Sequence, residues 1–371
     1  MLQKRYFFSF LLTTALIVVF VVACSSSNDE PTPPTAFDRK AMLQNYADNL
    51  IRPGFRDLQT NVNALSSTVE TFMGTSSAAN LTAMQSAWLK TQLSFEAVNA
   101  YNFGPAGEAG GRMRLAQEIS TFPVTTLKIE KAIAQGIANT TDANYDARGM
   151  LAIEYMLFDK NGNNQRILEG LETASRVYYL KKLVTNVKER VNAVVTGWDS
   201  YTGTFVSDDG TAAGSSTSEL YNEFIRSYGT LKNDKIGVPL GARTGQSAPQ
   251  PELAEGYYSG QSLALAKAHF IALENHWYGR TATADGPGFR EYVASVAGGP
   301  ALVTTTETQL AAIRKAFEGL SDNPSLTKQV QAKKPAVETL YSELQKNSRF
   351  LKNDMSSLLG IAMTISGDDG D

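Results

Sequence analysis

From residue 39 onward, apolar residues recur every three or four positions, the spacing that lines one face of an α-helix. Leu43, Tyr46, Leu50, Ile51, Phe55, Leu58, Val62, Leu65 and Val69 keep that register over 39–72, with Pro53 set to kink or interrupt it. Met84, Trp88, Thr91, Phe95 and Val98 mark a helix over 80–101, which Gly104-Pro105 stops. The same period predicts helices over 126–136, 145–158, 166–201, 219–231, 261–277, 289–296, 307–320 and 325–364. A Gly/Ser/Asp-rich loop covers 207–218. Residues 235–260, with Pro239, Gly241, Gly245, Pro249 and Pro251, read as a long irregular loop of the kind that is often functional. No alternating strand pattern of useful length occurs. The expected fold is all-α, as two packed helical bundles over 37–165 and 166–371.

One helical segment carries a charge where water should be absent. Over 145–158, Ala147, Leu151, Glu154 and Phe158 share a stripe, and Met150, Ile153 and Leu157 form the stripe beside it. A carboxylate inside that surface must be paired, hydrogen-bonded, protonated or bound to a cation. Arg148 is a candidate partner. Glu96 could bring a second carboxylate from the Trp88 helix, and bundle cores do build cation sites from Glu on facing helices. Trp88, Tyr101 and Trp277 read first as packing residues.

The rest of the chemistry is sparse. His269 and His276 lie seven apart on one helix, so their Cα atoms are roughly 10 Å apart at the usual rise. That spacing does not suit a shared zinc, whose ligand bonds are about 2 Å. Asp159, Asn161 and Asn163 imitate a calcium loop, but Asn164 and Gly170 occupy the positions that need Gly and Glu. There is no phosphate-cradling Gly loop and no Gly-x-Ser-x-Gly elbow. A formal net charge of −3 gives no electrostatic pull towards nucleic acid.

The first residues read as an address rather than as fold. Lys4 and Arg5 precede an apolar run over 7–22, and Val21-Val22-Ala23-Cys24 resembles a bacterial lipoprotein cleavage box. Cys24 is the only cysteine, at the position where lipidation would occur. Residues 1–23 are thus the expected signal peptide and 24–36 a polar, Pro-rich tether. The expected location is the bacterial outer membrane, with the protein held to the membrane by a lipid on Cys24.

Gly149, Leu151 and Glu154, followed by Tyr155, Leu157 and Phe158, resemble the Gly-x-His-x-x-Glu signature of imelysin-like proteins, with Leu151 in the position of the His. The segments 45–51, 101–105, 235–237 and 251–253 are similar to the same family. The resemblance implies two bundles with a ligand cleft between them, for which Trp88, Glu96, Asn102, Arg148, Gly149 and Glu154 are the candidate residues. It also implies an association with iron or haem acquisition without catalysis, and an outer-membrane receptor as a possible partner. Glu154 is the candidate metal ligand, for iron or another divalent or trivalent cation, since carboxylates suit hard cations. A metallopeptidase of the imelysin type is the alternative, weakened because Leu151 cannot ligate. A carbohydrate- or peptide-binding lipoprotein is a further alternative.

Cys24→Ser should shift the protein from the membrane fraction of fractionated cells to a soluble or unprocessed form. An unchanged membrane fraction would contradict the lipid anchor.

Overall fold

The computed structural model describes residues 36–108, 113–138, 140–332 and 334–364. Cys24, the segment 1–23, the tether up to residue 35 and the tail 366–371 lie outside the described residues. Among the described residues there is no β-strand, only an isolated bridge between Arg280 and Asp285. The all-α expectation holds.

The first half of the chain supplies α1 (Arg39–Asn45), α2 (Arg52–Gly74), α3 (Ala78–Glu96), α4 (Leu115–Ile119), α5 (Thr126–Gln135), α6 (Met150–Leu157), α7 (Asn164–Leu171) and α8 (Ala174–Ser207). Asp38 starts α1 by accepting the Ala41 amide at 2.9 Å, satisfying one of the donors a helix start leaves free. Between α1 and α2 the backbone widens into a π-helical turn, Tyr46–Ile51. Pro53 follows that turn at the start of α2. A proline there lacks a donor the ordinary helical ladder would use, and the locally widened turn accommodates the loss. The α2 face of Phe55, Leu58, Val62, Leu65, Val69 and Phe72 is buried against α3 and α8. Each such side chain contributes about 1.5–3 kcal/mol of transfer free energy. Helix α8, whose sequence lies beyond residue 165, therefore packs with the first group of helices.

The second group comprises α9 (Ser216–Gly229), α10 (Val238–Leu240), α11 (Ser262–Tyr278), α12 (Phe289–Ala294), α13 (Gly299–Glu318), α14 (Leu326–Gln331), α15 (Pro335–Arg349) and α16 (Ser356–Leu359). Here the structure corrects several sequence boundaries. Residues 235–240 are helical, because α9 runs on through a π-helical segment, Thr230–Gly237, into α10. The irregular loop starts only at Gly241. The helix expected over 325–364 is broken before Pro335, whose ring forbids a continuous helix through the preceding residue. The 145–158 helix begins at Met150, and residues 142–147 form a 3₁₀ segment instead.

Two side chains at the junction of α1 and the π-helical turn tie the groups together. Asn45 Nδ2 donates to the Gly279 carbonyl at 2.7 Å and to that of Pro287 at 3.0 Å. Next to it, the Tyr46 hydroxyl donates to the His276 carbonyl. A Cβ on Gly286 would lie 2.4 Å from Asn45 Oδ1, so only glycine lets this loop approach. Helix α3 lies at the centre, touching α2, α6 and α11.

Candidate functional site

At its C-terminal end, α3 carries Gln92 and Glu96 into the interior, where both are fully buried. The π-helical segment after α9 directs Lys235 to the same point, and the loop after Gly241 brings Glu255. Lys235 Nζ lies 2.5 Å from Glu96 Oε2 and 2.6 Å from Glu255 Oε2. The Gln92 amide spans Glu255 Oε1 and Ser120 Oγ, each at 2.9 Å, and Glu96 Oε1 at 3.2 Å. Asn99 adds a bond to Glu96 Oε2 at 3.3 Å. From α11, His269 faces Glu96 Oε2 with Nδ1 at 3.4 Å and shares a 2.7 Å hydrogen bond with Ser227 through Nε2.

These groups set each other's charge. Burial alone would pull Lys235 down, but Glu255 and Glu96 outweigh it, and the amine is held above its ordinary value as an ammonium. Glu96 is pushed up to about 8 by burial and by the Glu255 charge, with Lys235 pulling the other way. Two carboxylates around one ammonium hold a proton more readily than isolated acids do. Burial and the Lys235 charge drive His269 well below its usual range, so its imidazole is neutral. Taking such charges out of water costs several kcal/mol per ion, and only close pairing offsets it.

Glu154 is buried on α6, as the apolar stripe predicts. Its partner differs from the expected ones. Glu154 Oε1 accepts the backbone amide of Ser259 at 2.7 Å, not Arg148, Glu96 or Asn102. Ser259 and Glu255 sit on the same loop, so two buried carboxylates, Glu154 and Glu96, meet opposite ends of one segment, the first through an amide and the second through Lys235. Burial pushes the Glu154 carboxyl up to about 7, with the Ser259 hydrogen bonds pulling it back and Glu255 adding to the rise.

The other candidates serve packing or lie near by. Trp88 is fully buried, donates from Nε1 to the Met150 carbonyl at 2.7 Å, and meets Phe158 edge-on at 5.1 Å. It fixes α3 against the start of α6. Gly149 takes φ +80°, and a Cβ there would lie 2.6 Å from the Ile119 carbonyl oxygen, so this turn into α6 requires glycine. Arg148 is buried and donates to the Thr140 carbonyl at 2.7 Å. Asn102 accepts the Ala116 amide at 3.0 Å and donates to the Asn99 carbonyl at 2.6 Å. His276 lies between Phe224, stacked at 4.4 Å, and Tyr101, and burial alone pushes it down to about 3.

Lys235, Glu255, Gln92 and His269 were not among the expected site residues. A lysine and a glutamate in a Gly/Pro-rich stretch carry no periodic signal. The one sequence clue was the length of that stretch.

Beside the cluster opens a polar cavity of about 370 Å³ between the two groups of helices. Asn99, Asn102 and Arg114 line it from one side, and Glu223, Arg226 and Asn233 from the other. Arg243 and Asp234 also line it. Glu223 is shared by Arg226 Nε at 3.1 Å and Arg114 Nη1 at 3.4 Å. Through Asn99 and Ser227, the cavity wall is hydrogen-bonded to Glu96 and His269.

The residues around Glu154 do not fit a metallopeptidase centre. Leu151 offers no donor atom, Glu154 Oε1 is occupied by the Ser259 amide, and an ammonium already fills the space between Glu96 and Glu255. Among the described residues, no group of three His, Cys, Asp or Glu is placed to hold a metal ion.

The raised Glu154 carboxyl has a pH consequence. Folded near 7 against an ordinary 4.5, it binds more protons in the native than in the unfolded chain between those values. Its contribution to stability is complete below about pH 4.5 and is lost as pH rises through about 7. Glu154→Gln removes the titration and keeps an acceptor for Ser259. Between pH 5 and pH 8, unfolding free energies should show wild type losing about 2 kcal/mol relative to Glu154→Gln. Parallel curves would contradict the assignment.

The family model for imelysin (peptidase M75) matches residues 51–351. Iron-regulated protein A of Synechococcus elongatus is 23% identical over 248 residues, covering 64% of this chain and 62% of the relative, less than two thirds of its length. A solved structure described as an iron-regulated protein A precursor from Parabacteroides distasonis superposes with a TM-score of 0.72 at 17% identity, covering 89% of this chain and 97% of the other. An imelysin-like protein from Psychrobacter arcticum superposes with a TM-score of 0.70 at 18% identity, covering 88% and 97%. These two share the helical fold. With the family pattern running through the core helices and the loops of the cluster alike, this chain belongs to the imelysin family.

Proposed function

We propose that the protein is a non-enzymatic, lipid-anchored envelope protein associated with iron acquisition, which takes a small oxyanion-bearing iron chelate in the cavity between its two groups of helices. The observation that carries this reading is the cavity lining. Three arginines, Arg114, Arg226 and Arg243, face two carboxylates, Glu223 and Asp234, and the remaining lining is rich in amides. Guanidinium groups present forked donors that match carboxylate oxygens, and side-chain amides add neutral donors and acceptors. A haem would need an apolar slot, so this lining favours a chelate. The names of the Synechococcus and Parabacteroides relatives point to iron as well.

The buried cluster acts as scaffold in this reading. Lys235 and the carboxylates around it fix the cavity floor through Asn99 and Ser227, and neither carboxylate is free to activate water. The lipid on Cys24 would keep the cavity near the membrane, where an outer-membrane receptor could hand over its cargo.

Isothermal titration of the purified protein with ferric citrate tests the reading. Wild type should bind, and Arg114→Gln and Arg226→Gln should each weaken binding by about tenfold to a hundredfold, the loss of a charged hydrogen bond. No heat with wild type, or affinity unchanged in both variants, would remove the chelate from consideration.

A further inference from the structure

The loop that sends Glu255 inward sends two tyrosines outward. Tyr257 and Tyr258 are half-buried and meet edge to face at 5.2 Å, and Tyr258 meets Tyr155 of α6 in the same way at 5.1 Å. Beside them Phe158 leaves α6, half-buried. These rings separate two surface hollows of about 610 and 710 Å³, both in the size range of ligand pockets. Phe158, Asp159, Lys160, Tyr257 and Tyr258 border both.

The lining selects for a neutral, hydroxyl-rich ligand. In the first hollow, Asn161, Asn164 and Thr327 supply amides and a hydroxyl, which donate and accept as sugar hydroxyls do, and the charges of Lys160 and Lys328 are balanced by those of Asp159 and Glu252. The ionic groups of the second are largely paired with each other. Arg166 holds Asp159 at 2.9 Å, and Arg176 holds Glu130 at 2.9 and 3.0 Å. Tyrosine offers a flat apolar face and a wet polar tip, complementary to a pyranose with its C–H face and hydroxyl rim. A ridge of such rings between two hollows suits linked sugar units better than a single one.

The ridge is also held in advance. The Ser259 amide is bound to Glu154 and Glu255 is locked on Lys235, so the two tyrosines stand on a segment pinned on both sides. Little ordering is then left to pay on binding. We propose that these two hollows form a carbohydrate-binding site, separate from the arginine-lined cavity, that takes a neutral oligosaccharide across the Tyr257–Tyr258 ridge.

Isothermal titration of the purified protein against cello-, xylo-, manno- and malto-oligosaccharides tests this. At least one should bind, its free monosaccharide should bind far more weakly, and Tyr257→Ala should lower affinity about tenfold or more. Asn161→Ala, outside the tyrosine loop, should also weaken binding, which guards against a loop that collapses in the first variant. Arg226→Gln should leave sugar binding unchanged, since it lies in the other cavity. The proposal is overturned if no oligosaccharide binds, if Tyr257→Ala and Asn161→Ala both bind as wild type does, or if peptides of a casein digest bind and sugars do not.

Discussion

A buried lysine ammonium enclosed by two carboxylates is the constraint on which the interior depends. Lys235 comes from the π-helical segment after α9, Glu96 from α3 and Glu255 from a loop, so one charge cluster joins three separate pieces of chain. An ammonium that is fully buried cannot remain charged without those partners, and a buried carboxylate cannot remain ionised without the ammonium. Each segment is therefore held in place by the electrostatic need of the others. The geometry is selective: if the loop moved away, Lys235 would lose Glu255 and be left with only part of its compensation.

This cluster explains why a polar cavity and an aromatic ridge can occur on the same molecule without a rigid sheet to support them. On one side, Asn99 and Ser227 carry the order of the cluster to the cavity wall. On the other, Glu255 and the Ser259 amide pin the loop that presents Tyr257 and Tyr258. The π-helical turn at Thr230–Gly237 helps, because its wider register buries Lys232, Asn233 and Lys235 within a few residues of each other. Both surfaces thus rest on the same buried core.

Much of the fold was legible from periodicity. The stripe of Leu43, Tyr46, Phe55, Leu58 and Val62 does line the α1–α2 core, and Glu154 is buried where its apolar neighbours require. Membership of the imelysin family was also legible, from the residues around Gly149 and Glu154. What escaped was every contact that depends on pairing far along the chain. Lys235 and Glu96 are 139 residues apart, and neither helix moment nor spacing links them. Glu96 stood out only as a possible second carboxylate near Glu154, and Lys235 read as loop because Pro239 and Gly241 follow it. The Ser259 amide as the Glu154 partner was illegible for a simpler reason: a backbone donor leaves no mark in side-chain chemistry. Conversely, Arg148 was a reasonable partner by type, but a 3₁₀ segment before α6 turns it to the Thr140 carbonyl.

Lys235 is required as a charge rather than as a packing chain. The direct measurement is a comparison of unfolding free energies for wild type, Lys235→Met, and Lys235→Met combined with Glu96→Gln and Glu255→Gln. Lys235→Met alone should cost about 3–5 kcal/mol, because it strands two buried carboxylates, and neutralising both acids should recover most of that loss. A single variant within about 1 kcal/mol of wild type, or a triple variant no more stable than the single, would contradict the account.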